Sequence, residues 1–192
     1  MSSPVLHILA GPNGAGKSTF VREVLQPVTR LPFINADEIA AERWPGSEAE
    51  HAYHASDAAS EARNKSLNQR SSFITETVFS HPSKIDLVRR ATQMGYLVFL
   101  HVILVPENLA VLRVEYRVSD GGHTVPESKI RERYRRLWSL ISTASDLADR
   151  ATFYDNSRAH VPFRVIANYQ DGQPSGDVEW PAWTPAALIS SR

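Results

Sequence analysis

The chain has 192 residues, with 21 Lys plus Arg against 21 Asp plus Glu and no Cys. That length suits one domain with one sizeable core, spanning residues 1–192. The balanced charge leaves no general basic field for gripping nucleic acid, and the absence of Cys excludes disulfides, thiolate metal sites and thiol nucleophiles, in keeping with a reducing cytoplasm.

The start, "MSSPVLHILAGP", has no basic n-region, and its short apolar run breaks at Gly11-Pro12. It reads as a buried strand rather than a signal peptide. Residues 18–26 carry Phe20, Val21, Val24 and Leu25 at helical spacing, so the order is strand, loop, helix. "LPFINAD" predicts a second strand, and "ADEIAAERW" a short helix stopped by Pro45-Gly46. From 47 to 69, Ala52, Ala55, Ala59, Ala62 and Leu67 fall roughly on one helical face. "SSFITETVFS" is the third strand, and "HPSKIDLVRRATQMG" a helix with Ile85, Val88 and Ala91 on one side and Gly95 as its stop. The longest apolar stretch, "YLVFLHVILVP", includes His101 and is well short of the ~20 residues that a membrane-spanning helix needs. It predicts a fourth strand buried on both faces of a parallel sheet, in a protein that does not enter a membrane.

"PENLAVLRVEYRVSDGG" predicts a further helix, and 126–149 a long one with Ile130, Tyr134, Leu137 and Ile141 in a stripe. "ATFYDNS" and "PFRVIANY" read as fifth and sixth strands before a turn-rich tail, about residues 170–192, in which Trp180 and Trp183 pack back on the domain. Strands alternating with helices, with a phosphate loop after the first, give an α/β fold: a three-layer P-loop domain with a parallel sheet flanked by helices.

Gly11, Pro12, Asn13, Gly14, Ala15, Gly16, Lys17 and Ser18 match G-x-x-x-x-G-K-S/T in full, followed by Thr19. Its glycines let backbone N–H groups and a helix N-terminus face phosphates; Lys17 would supply charge to ATP, and Ser18 a hydroxyl to Mg²⁺. Asp37 ends the second strand, where it is either a base or Mg²⁺ holder facing the γ-phosphate or an N-cap for the following helix. Glu76 and Thr77 end the third strand; an acid there needs partners, either substrate hydroxyls or one of the arginines. The one basic concentration, at about 113–136, includes Arg113, Arg117, Arg131, Arg133 and Arg135 around Gly121-Gly122-His123. Two helices and that hinge make a lid whose arginines close on phosphates; the alternative is a solvated face with pairs such as Glu127–Arg131. Asn156, in "YDNS", either touches the nucleotide base or belongs to a polar turn. His51 and His54 are one turn apart without a further ligand and read as surface residues.

"GPNGAGKST" is also typical of transporter ATPases, but the chain has neither their Leu-Ser-Gly-Gly-Gln signature nor a strand ending Asp-Glu, and it lacks the Asn-Lys-x-Asp of GTPases. Taken together, "GPNGAGKST", "NADEIA", "FITETVFSHPSKIDLV", "GYLVFLHVILV", "RVEYRVSDGGHTVPESKIRERY" and "YDNS" resemble the zeta-toxin family of P-loop kinases in its short form, over about residues 5–157. The resemblance implies a nucleoside-kinase-like fold and phosphorylation of the 3′-hydroxyl of the amino sugar in UDP-N-acetylglucosamine. It assigns Asp37 as general base, Lys17 and Ser18 to ATP and Mg²⁺, Glu76 to the substrate and arginines such as Arg117 to the transferring phosphate. It also implies a small helical antitoxin that covers the ATP site. His123 stands about where a second lid arginine would be sought, with Arg131, Arg133 or Arg135 as alternatives. A kinase for another metabolite and an ATP-binding regulatory module are the competing readings.

Overall fold

The computed structural model describes residues 3–119 and 126–189. The expected Gly121-Gly122 hinge and His123 lie outside the described residues. The centre of the sheet is β1 (Val5–Ala10), paired in parallel with β3 (Phe73–Thr77) on one side and β4 (Leu97–Leu104) on the other. The short β2 (Phe33–Ile34) adds beyond β3, and β5 (Arg150–Asp155) beyond β4, both in parallel. Leu6, Ile8, Leu9, Phe73, Ile74, Val98, Leu100 and Val102 are all essentially inaccessible. That accounts for the near-continuous apolar wording of these strands, since a parallel strand covered on both faces has no side for polar residues.

The expectation of a parallel sheet holds for five strands and fails at one edge. There β6 (Arg164–Gln170) and β7 (Gln173–Pro174) run antiparallel, completing the order β2-β3-β1-β4-β5-β6-β7. Only residues 156–163 join β5 to β6, with no helix among them, and a parallel crossover needs a longer connection. Asp171 and Gly172 both adopt positive φ, the backbone that a two-residue hairpin turn requires.

After the phosphate loop come α1 (Lys17–Phe20), a π-helical turn over Val21–Leu25, and α2 (Gln26–Thr29). The wide turn lies directly before Pro27, which has no N–H for the carbonyl four residues back. Next is α3 (Ala36–Arg43), whose cap is Asn35 rather than Asp37: Asn35 Oδ1 accepts the Asp37 N–H at 2.7 Å. Asp37 thus stands in the first turn, its carboxyl not spent on the cap. α4 (Ala52–Asn68) buries Ala55, Ala59 and Leu67, while Ala52 is exposed and Ala62 only half-buried. α5 (Ser83–Gln93) buries Ile85, Val88 and Ala91, and Gly95 stops it at φ +74°. α6 (Glu107–Ser119) and α7 (Glu127–Leu147) follow, the latter burying the expected Ile130, Tyr134, Leu137 and Ile141. The tail holds one short helix, α8 (Ala186–Ile189); Trp180 meets Phe153 edge-on at 5.2 Å, and Trp183 packs on the core.

A polar chain crosses one face of this sheet. His7 Nδ1 lies 3.0 Å from His101 Nε2, and His101 Nδ1 lies 3.2 Å from the Tyr154 hydroxyl, linking β1, β4 and β5. Phe20 of α1 covers it, 5.7 Å from His101 and 4.8 Å from Tyr154 between ring centres. Burial pushes the pKa of His7 down to about 4; burial, with the His7 charge second, pushes that of His101 down to about 3. Both rings are therefore neutral at pH 7, each with one donor and one acceptor nitrogen.

Because these folded-state values lie below the unfolded value near 6.5, the unfolded chain binds more protons between pH 6.5 and 4. The stabilisation is complete above pH 6.5 and is lost as the pH falls through that window. His7 alone should cost about 2 kcal/mol of unfolding free energy between pH 7 and pH 5. Urea unfolding at the two pH values should show that drop in the wild type and a drop smaller by that amount in His7→Gln. An identical loss in both proteins would remove His7 as its source.

Candidate active site

The loop from Gly11 to Ser18 connects β1 to α1 and is pressed from two sides. Gly14 has φ +75°, and a Cβ there would sit 2.7 Å from the carbonyl oxygen of Ala110 in α6. Gly16 has φ +93°, and its Cβ would meet Asn156 Nδ2 at 2.7 Å. Both positions thus need glycine twice over, for the backbone angle and for the space. Asn156 also donates that amide to the Ala15 carbonyl at 2.8 Å, so the residue after β5 braces the loop. Gly11, Pro12 and Ala15 are buried behind it, while Asn13, Gly14, Gly16, Lys17 and Thr19 line a cavity of about 390 Å³. The Oδ1 atom of Asn13 is buried and has no hydrogen-bond partner.

Lys17 is only 6% exposed, and its ammonium donates to the Pro12 carbonyl at 3.0 Å and faces Glu76 Oε1 at 3.7 Å. Burial lowers its pKa below the ordinary lysine value; the carboxylates of Glu76 and Asp37 oppose that shift, and Arg117 adds to it. Two acids and an arginine, from three different elements, thus lie near enough for their charges to act on Lys17.

Glu76 has a second set of partners on its other oxygen. Ser18 Oγ donates to Oε2 at 2.7 Å, and Asn35 Nδ2 donates to it at 3.0 Å. Asn35 therefore caps α3 with its oxygen and holds Glu76 with its nitrogen, tying the ends of β2 and β3 together. The ion pair expected for Glu76 on the protein side is made by the loop lysine, not by an arginine. Thr77 Oγ1 accepts the Phe79 N–H at 3.2 Å. Phe79 itself is buried at φ +63°, a costly backbone for a bulky residue, and Val78 before it lines the cavity. Sequence reasoning missed both; the signal available was the apolar pair Val78-Phe79 directly after the strand's last residue, Thr77.

The arginines divide. Arg113 and Arg117 of α6 line the cavity; Arg113 donates to the Gly14 carbonyl at 3.5 Å, and partial burial lowers its pKa. Arg131 of α7 is not brought there. It donates to Glu127 at 2.8 Å, to Asn108 at 3.0 Å and to Glu107 at 3.3 Å, which satisfies most of its fork. The reason is the acid that opens α6: Glu107 faces α7 and draws both Arg131 and, at 3.8 Å, Arg135. In this structure Arg131 is an inter-helix tie, and it does not line the cavity beside Arg113 and Arg117. His51 and His54 stack beside Trp44, and among the described residues no group of His, Cys, Asp and Glu could form a metal centre of three or more. Nor is any described helix long and apolar enough to cross a membrane.

No curated protein matches the chain. Among solved structures, one from the PezAT chromosomal toxin–antitoxin system of Streptococcus pneumoniae is similar at TM-score 0.66 and 15% identity, covering 88% of this chain and 72% of that one. AvrRxo1-ORF1:AvrRxo1-ORF2 is similar at TM-score 0.71 and 17% identity over 90% of this chain, which spans 60% of that chain's length. A shikimate kinase from Acinetobacter baumannii aligns at TM-score 0.54 and 16% identity, covering 82% of this chain and 86% of the other. At these identities the likeness is one of fold, an α/β P-loop fold shared by kinases with different acceptors. Family membership rests on the sequence itself: the model of the family described as Zeta toxin matches residues 1–164, and the chain belongs to the zeta-toxin family of P-loop kinases.

Proposed function

We propose that the protein transfers the γ-phosphate of ATP to a hydroxyl of a small molecule, a nucleotide sugar such as UDP-N-acetylglucosamine. The observation that carries this reading is the proximity of Glu76, Asp37 and Arg117 to the phosphate-loop Lys17, two acids and an arginine brought to one ammonium from three elements. With one acid beside the loop lysine and serine, the other is free to take the proton of an acceptor hydroxyl, as a kinase requires. AvrRxo1-ORF1:-ORF2 has been solved with ATP, which supports ATP as the donor.

In this reading the loop N–H groups and Lys17 hold the donor phosphates, and Arg113 and Arg117 neutralise charge that develops on the transferred group. Ser18 Oγ and the Glu76 carboxylate are hard oxygen donors already 2.7 Å apart, a set that suits Mg²⁺. The ion would shield the donor phosphates when bound. Glu76 thus serves the metal side of the site, and Thr77 is left for the acceptor. The acceptor hydroxyl gives its proton to Asp37, its oxygen bonds to the γ-phosphorus, and the bond to the bridging oxygen breaks to release ADP. A small antitoxin protein as partner belongs to the same proposal, supported by the toxin–antitoxin system in which the PezAT relative was characterised.

Mass spectrometry of a metabolite extract incubated with the protein, ATP and Mg²⁺ tests the transfer and identifies the acceptor. A phosphorylated nucleotide sugar should appear with wild type and fall about 10²–10⁴-fold with Asp37→Asn, while ATP affinity stays within a few-fold. A product of another class would replace the acceptor, spectra without any phosphorylated product from wild type would end the kinase reading, and equal product from both proteins would remove Asp37 as the base.

The pairing of Ser18 with Glu76 predicts a different signature. In Glu76→Gln the Mg²⁺ concentration for half-maximal activity should rise by at least tenfold, with the acceptor KM changed much less. A rise confined to the acceptor KM would return Glu76 to the substrate.

A further inference from the structure

Away from the phosphate loop, α4 and α5 enclose a second cavity of about 250 Å³ that shares no lining residue with the first. Its walls carry three cations, Arg63 from α4 and Lys84 and Arg90 from α5, with the neutral donors Ser60 and Asn64 between them. The single acid on the wall, Asp86, points its carboxylate to Arg89 at 3.4 Å. Arg90 donates to Asn64 Oδ1 at 3.1 Å, which fixes its guanidinium without neutralising it.

Arg63 and Lys84 are in a different position. Both are half-buried, and among the described residues neither has a hydrogen bond or an ion pair from its side chain. They are close enough for the Arg63 charge to lower the pKa of Lys84, on top of the lowering that burial causes, and no carboxylate offsets either shift. Two desolvated cations facing each other across a cavity are unfavourable until an anion enters. Long basic side chains on a solvated face would instead swing their heads apart into water.

We propose that the α4–α5 cleft is a second, separate oxyanion site, built for a phosphate or diphosphate group. The cavity is of a size for such a group. Arg63 gives a planar fork, Lys84 a point charge, and Ser60 and Asn64 neutral donors to the remaining oxygens. Its place in the fold gives it a route to the loop site, because α4 leads into β3 and α5 leaves it, and β3 carries Glu76 at its end.

The site can be read with the phosphate loop filled. Protein saturated with a non-hydrolysable ATP analogue is titrated calorimetrically with pyrophosphate and, separately, with UDP. Wild type should bind at least one of them, and Arg63→Gln/Lys84→Gln should weaken that binding at least tenfold while affinity for the ATP analogue stays within twofold. Equal responses to the two ligands support the site with free phosphate as its source, and a stronger response to UDP supports it with a nucleotide as its source. No binding by the filled wild type, or equal binding by wild type and variant, overturns the proposal. The thermal midpoint of the ligand-free variant separates this from misfolding: removing one of two facing cations should leave it unchanged or raise it. A lowered midpoint in both Arg63→Gln and Lys84→Gln would show that the two cations are structural, and would also overturn the site.

Discussion

A lysine ammonium buried almost completely must be kept charged without water, and the surroundings of Lys17 are arranged around that requirement. Its nearest acid, Glu76, is in turn fixed by Ser18 and Asn35, so the carboxylate cannot turn away. These side chains come from three places in the sequence: Lys17 and Ser18 from the phosphate loop, Asn35 from the cap of α3 and Glu76 from the end of β3. Removing one partner would leave another buried charge or polar group unpaired, at a cost of about 1–3 kcal/mol or more. The site is thus also a structural joint, where the ends of three parallel strands are held in register by ionic hydrogen bonds.

Much of this was legible in the sequence because it depends on short-range rules. The glycine spacing and the strand before it announce a phosphate loop, and acids placed after runs of β-branched residues announce strand ends. The helical stripe through Ile130, Tyr134, Leu137 and Ile141 was equally plain, since packing selects one face of a helix. What could not be read depends on contacts between distant segments. Asn35 and Asp37 are both good caps by type, and only the chain's exit angle from β2 decides between them. Arg131 has the same local wording as Arg113; Glu107, far off in sequence, takes it out of the cavity. The antiparallel edge could have been suspected from β6, where Arg164, Asn168 and Gln170 interrupt the apolar run that the central strands keep, and from the short connection before it.

The division of the arginines gives α6 and α7 different duties. α6 lies against the loop through Ala110 and Arg113, so its charges belong to the nucleotide side. α7 is fastened to the start of α6 by Glu107 and to the sheet by Tyr134, whose hydroxyl donates to the Val105 carbonyl at 2.9 Å. The second helix therefore acts as a strut for the first, and the apolar stripe below it sets where α6 can sit.

Asn156 reaches across from the end of β5 to grip the Ala15 carbonyl, and Gly16 leaves room for it. The loop's curvature is thus inherited from the sheet and does not wait for a phosphate. A nucleotide entering such a cradle avoids the entropy of ordering it, and affinity that a floppy loop would forfeit is retained. The same brace has a second effect: it couples the loop to the far end of β5, so a substitution at Asn156 would be felt at the phosphates without touching them.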